Sequence, residues 1–332
     1  MSHSGSSKVN MSEFYLNETQ AQLQLAMFGL SNEFQEETNQ KIRDAFAGMG
    51  ETGYARKFAF DLIEEMKNSN GPLSNSLNDR SPLTDTEKYG NALIFAFAGH
   101  DTTGHTLAWL TYELAKNHNY QKKLQREVDK FWNENGSDIT IASFKKLPFM
   151  TRCIMETLRL WTAVPNGSFR QLDRDENIRG LNNKQVKLKK GTYVQLFNWN
   201  RHRNPDLWGE DADLFNPDRE FKDGEIWEEQ GYMFYNPASD RFSPFSYPGR
   251  DCIGKNFAHM EMRLILLHLI RDYNFILTEQ QASTVYDDNY KGSNRATLGP
   301  VDVYNPINQH NKGLRPFNIG MYMYVSKRHT NI

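Results

Sequence analysis

Long stretches with apolar residues at three- and four-residue steps alternate along the chain with stretches that have no period, and this contrast predicts its elements. Residues 11–67 read as helices: "LNETQAQLQLAMFGLSNEFQEETNQKIRDAF" mixes three- and four-residue steps, and "YARKFAFDLIEEMKNSN" is amphipathic. "GPLSNSLNDRSPL" (71–83) reads as a loop from its Gly, Pro, Asn and Ser content. Thr84, followed three residues later by Glu87, is a capping-box signature. It opens a helix to about Asn117 that is roughly 50 Å long at 1.5 Å per residue. Further helices are expected at about 119–134 and 148–161. "QVKLKKGTYVQLFNWNRHR" alternates instead, which predicts strands around a Lys-Gly turn. Residues 201–251 are dense in Pro, Asp, Asn and Trp with little periodicity, and loops of that length are usually functional. An amphipathic helix follows at 254–273, and 275–332 reads as short strands and loops with "GMYMYVSK" as the best strand. Helices first and strands later point to a mainly α protein with a small β part.

Composition narrows the function classes. A net charge of −2 leaves nothing to steer the chain to nucleic acid. Two cysteines, Cys153 and Cys252, cannot build a disulfide framework, which fits a reducing compartment: the cytosol or the cytosolic face of the endoplasmic reticulum. The opening twenty residues lack a signal pattern, and no run reaches the roughly 18 apolar residues of a membrane span, so any membrane contact is expected to be peripheral. The sequons at Asn10, Asn17 and Asn166 then read as chance.

Two places break local rules. Within the long helix, "FAFAGHDTTGHTLAWL" (95–110) sets two glycines, three threonines and an aspartate among apolar residues, which marks a buried polar network or a site. His100 and His105 are five apart, off a common helix face, and make a poor metal pair. Cys252 lies at the mouth of the last helix, after a Pro-Gly turn and Arg250. A helix N-terminus and a neighbouring cation favour thiolate, and Gly254 leaves room for something bulky near the sulfur; a buried structural cysteine is the alternative. Cys153 has no such surroundings and reads as core.

Four stretches in order resemble one family, the cytochrome P-450 haem-thiolate monooxygenases. "FSYPGRDCIG" is similar to its cysteine loop, F-x-x-G-x-R-x-C-x-G, with Phe245, Arg250, Cys252 and Gly254 at the expected spacings. "ETLR" (156–159) matches E-x-x-R, "FNPDREF" resembles the signature that supplies a second arginine, and "AGHDTT" (98–103) matches the oxygen-binding helix. The resemblance is firmest over 84–275 and implies one P-450-like domain over 1–332. It implies haem b (iron protoporphyrin IX) with Cys252 as the metal ligand and Phe245 packed beside it. Arg250 and Arg170 would meet the propionates, and His202 would be either a further neighbour or a satisfied loop histidine. Glu156, Arg159 and Arg219 would form a buried structural triad. Asp101 and Thr102 would deliver protons, and Gly99 and Gly104 would let the helix open near the haem. Electrons would come from an NADPH-dependent reductase or ferredoxin, for transfer of one oxygen atom of O₂ to a small lipophilic substrate. The "AVPNGSF" turn and "ATLGP" (296–300) are expected to face the pocket.

The match departs in two respects. Pro248 and Gly249 invert the usual Gly-Pro order of the cysteine loop, and no W-x-x-x-R haem contact precedes residue 98. The expected architecture is therefore a cytochrome P-450 fold truncated at its N-terminus. Two readings stay open: a monooxygenase or its catalytic portion, and a catalytically incompetent haem-binding or non-catalytic fragment. A zinc or thiol enzyme built on Cys252 is disfavoured, because no Cys or His cluster has zinc spacing.

Overall fold

A computed structural model of the chain describes residues 5–31, 33–38, 41, 54–79, 82–180, 183–222, 225, 239–247, 249–283 and 321–328. Strand β1 (Ser6–Asn10) leads into helix α1 (Met11–Gln22), which widens into a π-helix over Leu23–Phe28. It ends at Gly29, whose φ of 68° lies in the left-handed region. Helices α2 (Tyr54–Lys67) and α3 (Pro72–Asp79) precede the long α4 (Asp85–Lys116). Next come α5 (His118–Asn135), a 3₁₀ turn (Ile141–Lys146) and α6 (Pro148–Leu160). Four short strands follow: β2 (Ser168–Gln171), β3 (Glu176–Arg179), β4 (Gln185–Leu188) and β5 (Tyr193–Leu196). Short helices α7 (Asn198–His202) and α8 (Pro205–Trp208) open the irregular segment. The chain then forms α9 (Lys255–Asp272), β6 (Tyr273–Leu277), α10 (Glu279–Ser283) and β7 (Tyr322–Lys327).

Helix α4 organises the rest. Its start is set locally: Glu87 N–H donates to the Thr84 hydroxyl at 3.4 Å, and Thr84 N–H donates to Glu87 Oε2 at 2.8 Å. Its C-terminal half is buried at every position from Thr103 to Ala115. That half sits in the main core, with Leu124 and Val128 of α5, Ile154 and Leu158 of α6, and Leu266 and Ile270 of α9. The N-terminal half contributes Ala92 and Ala96 to a second core with Leu23, Phe28, and Phe58 and Leu62 of α2. Among the described residues, no helix is long and apolar enough to cross a membrane.

One local expectation changes in three dimensions, and two strand expectations hold with partners that the sequence did not name. The stretch read as a loop at 71–83 contains α3. Leu73 and Leu77, four apart, pack into the second core, and the Ser74 hydroxyl donates to Phe28 O at 2.6 Å, so burial overrides the Asn/Ser composition. Strands β4 and β5 flank the Lys-Gly turn, where Gly191 has φ 85°, yet they do not pair with each other. β4 pairs with β3 (Ile178↔Val186) and β5 with β2 (Ser168↔Leu196), both antiparallel. Gly191 N–H donates to Leu172 O at 2.8 Å and Lys190 N–H to Asp175 Oδ1 at 2.9 Å, which docks the turn on the β2–β3 connection instead. Finally, β7, the strand expected in "GMYMYVSK", is central in a sheet ordered β1-β7-β6, so the first and last described strands lie side by side.

The glycines of α4 are explained by packing rather than by an opening of the helix. α4 is continuous α-helix through Gly99 and Gly104. A Cβ on Gly99 would lie 2.7 Å from both methyls of Leu23, and one on Gly104 would lie 3.0 Å from Leu16 Cδ2 and 3.2 Å from Leu16 Cα. The small residues let α1 and the π-helix pack closely on α4. At the same contact the Thr19 hydroxyl donates to His100 O at 2.9 Å.

Candidate active site

A cavity of about 390 Å³ opens between α4, the end of α6, β2, the loop before α9 and the first turns of α9. Helix α4 contributes Ala98, Thr102, Thr103 and Thr106. The loop contributes Pro244, Phe245, Ser246, Arg250 and Cys252, and α9 adds Ala258 and Met262. Arg170 reaches the cavity from β2. Of the residues singled out in the sequence, Thr102, Arg170, Phe245, Arg250 and Cys252 therefore share one cavity; Gly99, Asp101 and Gly254 are not among its lining residues.

Cys252 is held by a tight loop. Its N–H donates to Phe245 O at 2.9 Å, and its carbonyl accepts from Lys255 N at 3.4 Å. Ser246 (φ 69°) and Gly249 (φ 84°) take the left-handed conformations that turn the chain, and the Ser246 and Ser168 hydroxyls meet at 2.8 Å to tie the loop to β2. Pro248, one half of the inverted pair, lies outside the described residues, as does 296–300. The Phe245 ring packs 4.9 Å from the ring of His259, and a Cβ on Gly254 would come no closer than 3.9 Å to the sulfur.

The electrostatics at the sulfur differ from expectation. The Cys252 side chain is exposed to the cavity, but the protein crowding its other side raises the thiol above its ordinary value. The N–H groups of Gly254 and Lys255 and the charge of Lys255 pull it down, while Asp251 pushes it up. The helix N-terminus thus acts in the expected direction and is outweighed by desolvation; the cation that helps is Lys255, not Arg250. Cys153 is buried in the main core, with its thiol pushed well up by burial.

Arg170 donates to Phe169 O at 2.8 Å, and among the described residues neither Arg170 nor Arg250 has a carboxylate partner. His202 does not reach the cavity. It is fully buried, its Nε2 accepts from Ser243 N at 3.1 Å, and burial holds its ring well below the usual imidazole range, which matches the loop-histidine reading rather than that of a propionate neighbour. Thr102 donates its hydroxyl to Ala98 O at 3.0 Å, in the helix-interior manner of threonine. Asp101 instead meets His105, with Oδ1 3.3 Å from Nε2.

Beside the cavity, Glu156, Arg159 and Arg219 come together in a buried cluster. Arg159 Nε and Nη2 donate to the two Glu156 oxygens at 2.8 and 2.7 Å, and Arg219 Nε donates to Oε1 at 3.2 Å. Arg159 Nη1 donates to His202 O and Ala212 O at 2.7 and 2.6 Å, and Arg219 Nη1 to Asp211 Oδ1 at 2.6 Å. These bonds hold the irregular segment after α7 to α6. Residues that sequence reasoning passed over include Thr106 and Met262. Thr106 was discoverable, because 98, 102 and 106 form one i, i+4 row on α4.

A thiol facing a cavity, two guanidinium groups without counter-charges among the described residues and a threonine row fit a haem with a thiolate ligand and two carboxylates. The sequence profile of the cytochrome P-450 family matches residues 9–296. The chain belongs to this family. It is 30% identical to cytochrome P-450 CYP13A4 of Caenorhabditis elegans over 289 residues, covering 83% of this chain and 52% of the relative. It is 33% identical to CYP13A1 of the same organism over 252 residues, covering 75% and 44%. Identity to CYP13A5 is 34% over 221 residues, covering 67% and 38%. The chain thus spans about half, or somewhat less, of the length of these cytochromes P-450. The mainly α architecture with its small sheets is the cytochrome P-450 fold.

Proposed function

We propose that this chain is the haem-binding, catalytic part of a monooxygenase that inserts one oxygen atom of O₂ into a small lipophilic substrate. The observation that carries this reading is that Cys252, Arg170, Arg250 and Thr102 open onto the same cavity. Cys252 is the ligand of the iron. Its raised thiol means that ligation displaces a proton, so loading weakens as pH falls. Arg170 and Arg250 bind the two propionates of haem b, each as a planar donor fork. The haem, when bound, supplies activation of O₂, and its thiolate ligand favours O–O cleavage.

The other residues position and deliver. Thr102 would release Ala98 O and turn its hydroxyl into the cavity, where it would hold a water by hydrogen bonding. Asp101, partly exposed, takes protons from solvent for Thr102. Leu158, Ala163, Val164 and Met262 give the substrate an apolar wall. Gly254 keeps the approach to the sulfur open, and the Glu156–Arg159–Arg219 cluster is structural. Electrons come from an NADPH-dependent reductase or a ferredoxin.

The test is the absorption spectrum of the purified, haem-reconstituted chain after reduction and addition of carbon monoxide. A strongly red-shifted Soret band that Cys252→Ala abolishes supports thiolate ligation. Failure of the chain to take up haem sinks the proposal for this chain.

A further inference from the structure

The histidine that the sequence makes uninteresting, His105, meets Asp101 across one turn of α4. On an α-helix, positions 101 and 105 form a row about 100° around from 98, 102 and 106. The first row carries the Asp101–His105 contact at 3.3 Å and the second lines the cavity. The Asp101 side chain is 19% exposed and that of His105 5%. With Nε2 3.3 Å from the carboxylate, the tautomer that can donate to Asp101 is the one that carries its proton on Nε2. In the neutral ring Nδ1 is then an acceptor, and it is buried without a hydrogen-bond partner. An i, i+4 pair serving only helix stability is normally solvated and needs no buried ring with an orphaned nitrogen.

We propose that His105 is a positioning residue, a latch that keeps the Asp101 carboxylate on the side of α4 away from the cavity. Asp101 takes its proton from solvent in that position. It reaches towards Thr102 only when the contact with His105 is released, and the contact reforms when the proton has been passed on. The charge balances: a proton from a hydronium or buffer acid neutralises the Asp101 carboxylate, and Asp101 passes it to the Thr102 oxygen as the Thr102 hydroxyl gives its own proton to the cavity. Asp101 returns to carboxylate, and His105 keeps its proton throughout. This rests on the proton-delivery reading of Asp101 and Thr102.

Two measurements test it. Nitrogen-15 NMR of the histidine side chains should show His105 as the Nε2–H tautomer, with that preference lost in Asp101→Asn. The haem-loaded chain, supplied with NADPH and a cytochrome P-450 reductase without added substrate, is then assayed for hydrogen peroxide released per NADPH consumed. His105→Ala should raise that ratio about twofold or more, and His105→Gln, which keeps an N–H donor in reach of Asp101, should restore it. Thr102→Ala is the control for the relay itself. A changed ratio in Thr102→Ala with none in His105→Ala overturns the latch alone. Equal effects of His105→Ala and His105→Gln reduce His105 to packing and overturn it too, as does an Nδ1–H tautomer in the unmodified chain. An unchanged ratio in Thr102→Ala removes the relay and the latch with it, and a persisting tautomer effect then marks the pair as structural only.

Discussion

Replacing Glu156 with alanine removes four hydrogen bonds from a site with no solvent access. Arg159 loses its donations at 2.8 and 2.7 Å, Arg219 loses one at 3.2 Å, and the Asn216 N–H loses one at 3.0 Å. Arg219 keeps Asp211, but Arg159 keeps only carbonyls and becomes a fully buried cation without an anion. Removing one partner of a buried pair costs about 3–5 kcal/mol, a large share of the roughly 5–15 kcal/mol that holds a domain together. Arg159→Ala should cost about as much, since it strands the Glu156 carboxylate. The double variant should be less destabilised than the sum of the two by about 0.5–3 kcal/mol. Urea unfolding followed by tryptophan fluorescence reads this directly, because Trp208 lies 5.1 Å from the Arg159 guanidinium. Where an alanine variant does not accumulate, Glu156→Gln supplies the same comparison with the shape retained. Single losses under about 1 kcal/mol with an additive double variant would refute the reasoning, because that is the behaviour of a solvated surface pair.

Two further predictions concern other parts of the fold. Gly104→Val should destabilise by about 1–3 kcal/mol, because its Cβ meets the α1 backbone; Gly99→Ala should destabilise by less, because its Cβ meets the end of the buried Leu23 side chain, which has to shift, while helix propensity offsets part of the loss. Unchanged melting temperatures for both would contradict the close-packing account of these glycines. Glu261 is buried on α9 with both oxygens unpartnered, and burial pushes its carboxyl up to about 9. Its folded value lies above its unfolded one, so its contribution is present at low pH and is lost as pH rises between about 4.5 and about 9. Glu261→Gln should therefore gain melting temperature relative to the parent chain as pH increases through that window, and parallel pH profiles would remove Glu261 from the balance.

Much of this was legible because it is local. Thr84 and Glu87 cap a helix across three residues, and Glu156 with Arg159 is an i, i+3 pair, so both could be placed without knowing the fold. The third member, Arg219, is 63 residues from Glu156 and was reached only through the resemblance of "FNPDREF" to a family signature. The same limit explains α3, whose helix rests on Leu73 and Leu77 finding the second core, and the strands beside Gly191, which alternate as strands should yet choose partners upstream. Alternation reports that a segment is extended and half-buried; it carries nothing about which strand lies alongside.

The sequence by itself determined the helical order, the start of α4, the place of the cysteine loop before α9, and the family to which these belong. Each depends on short-range spacing or on motifs whose residues stand at set distances along the chain. Only the tertiary structure decided what the unusual residues of 95–110 are for. Gly99 and Gly104 are the places where α1 and the π-helix press against α4; Thr102 faces the cavity; Asp101 is turned from it towards His105. A polar or glycine residue inside a helix states only that something is required there. What that is depends on the element packed against each face, and the rotation of about 100° between neighbouring residues sends adjacent letters of the sequence to different ones.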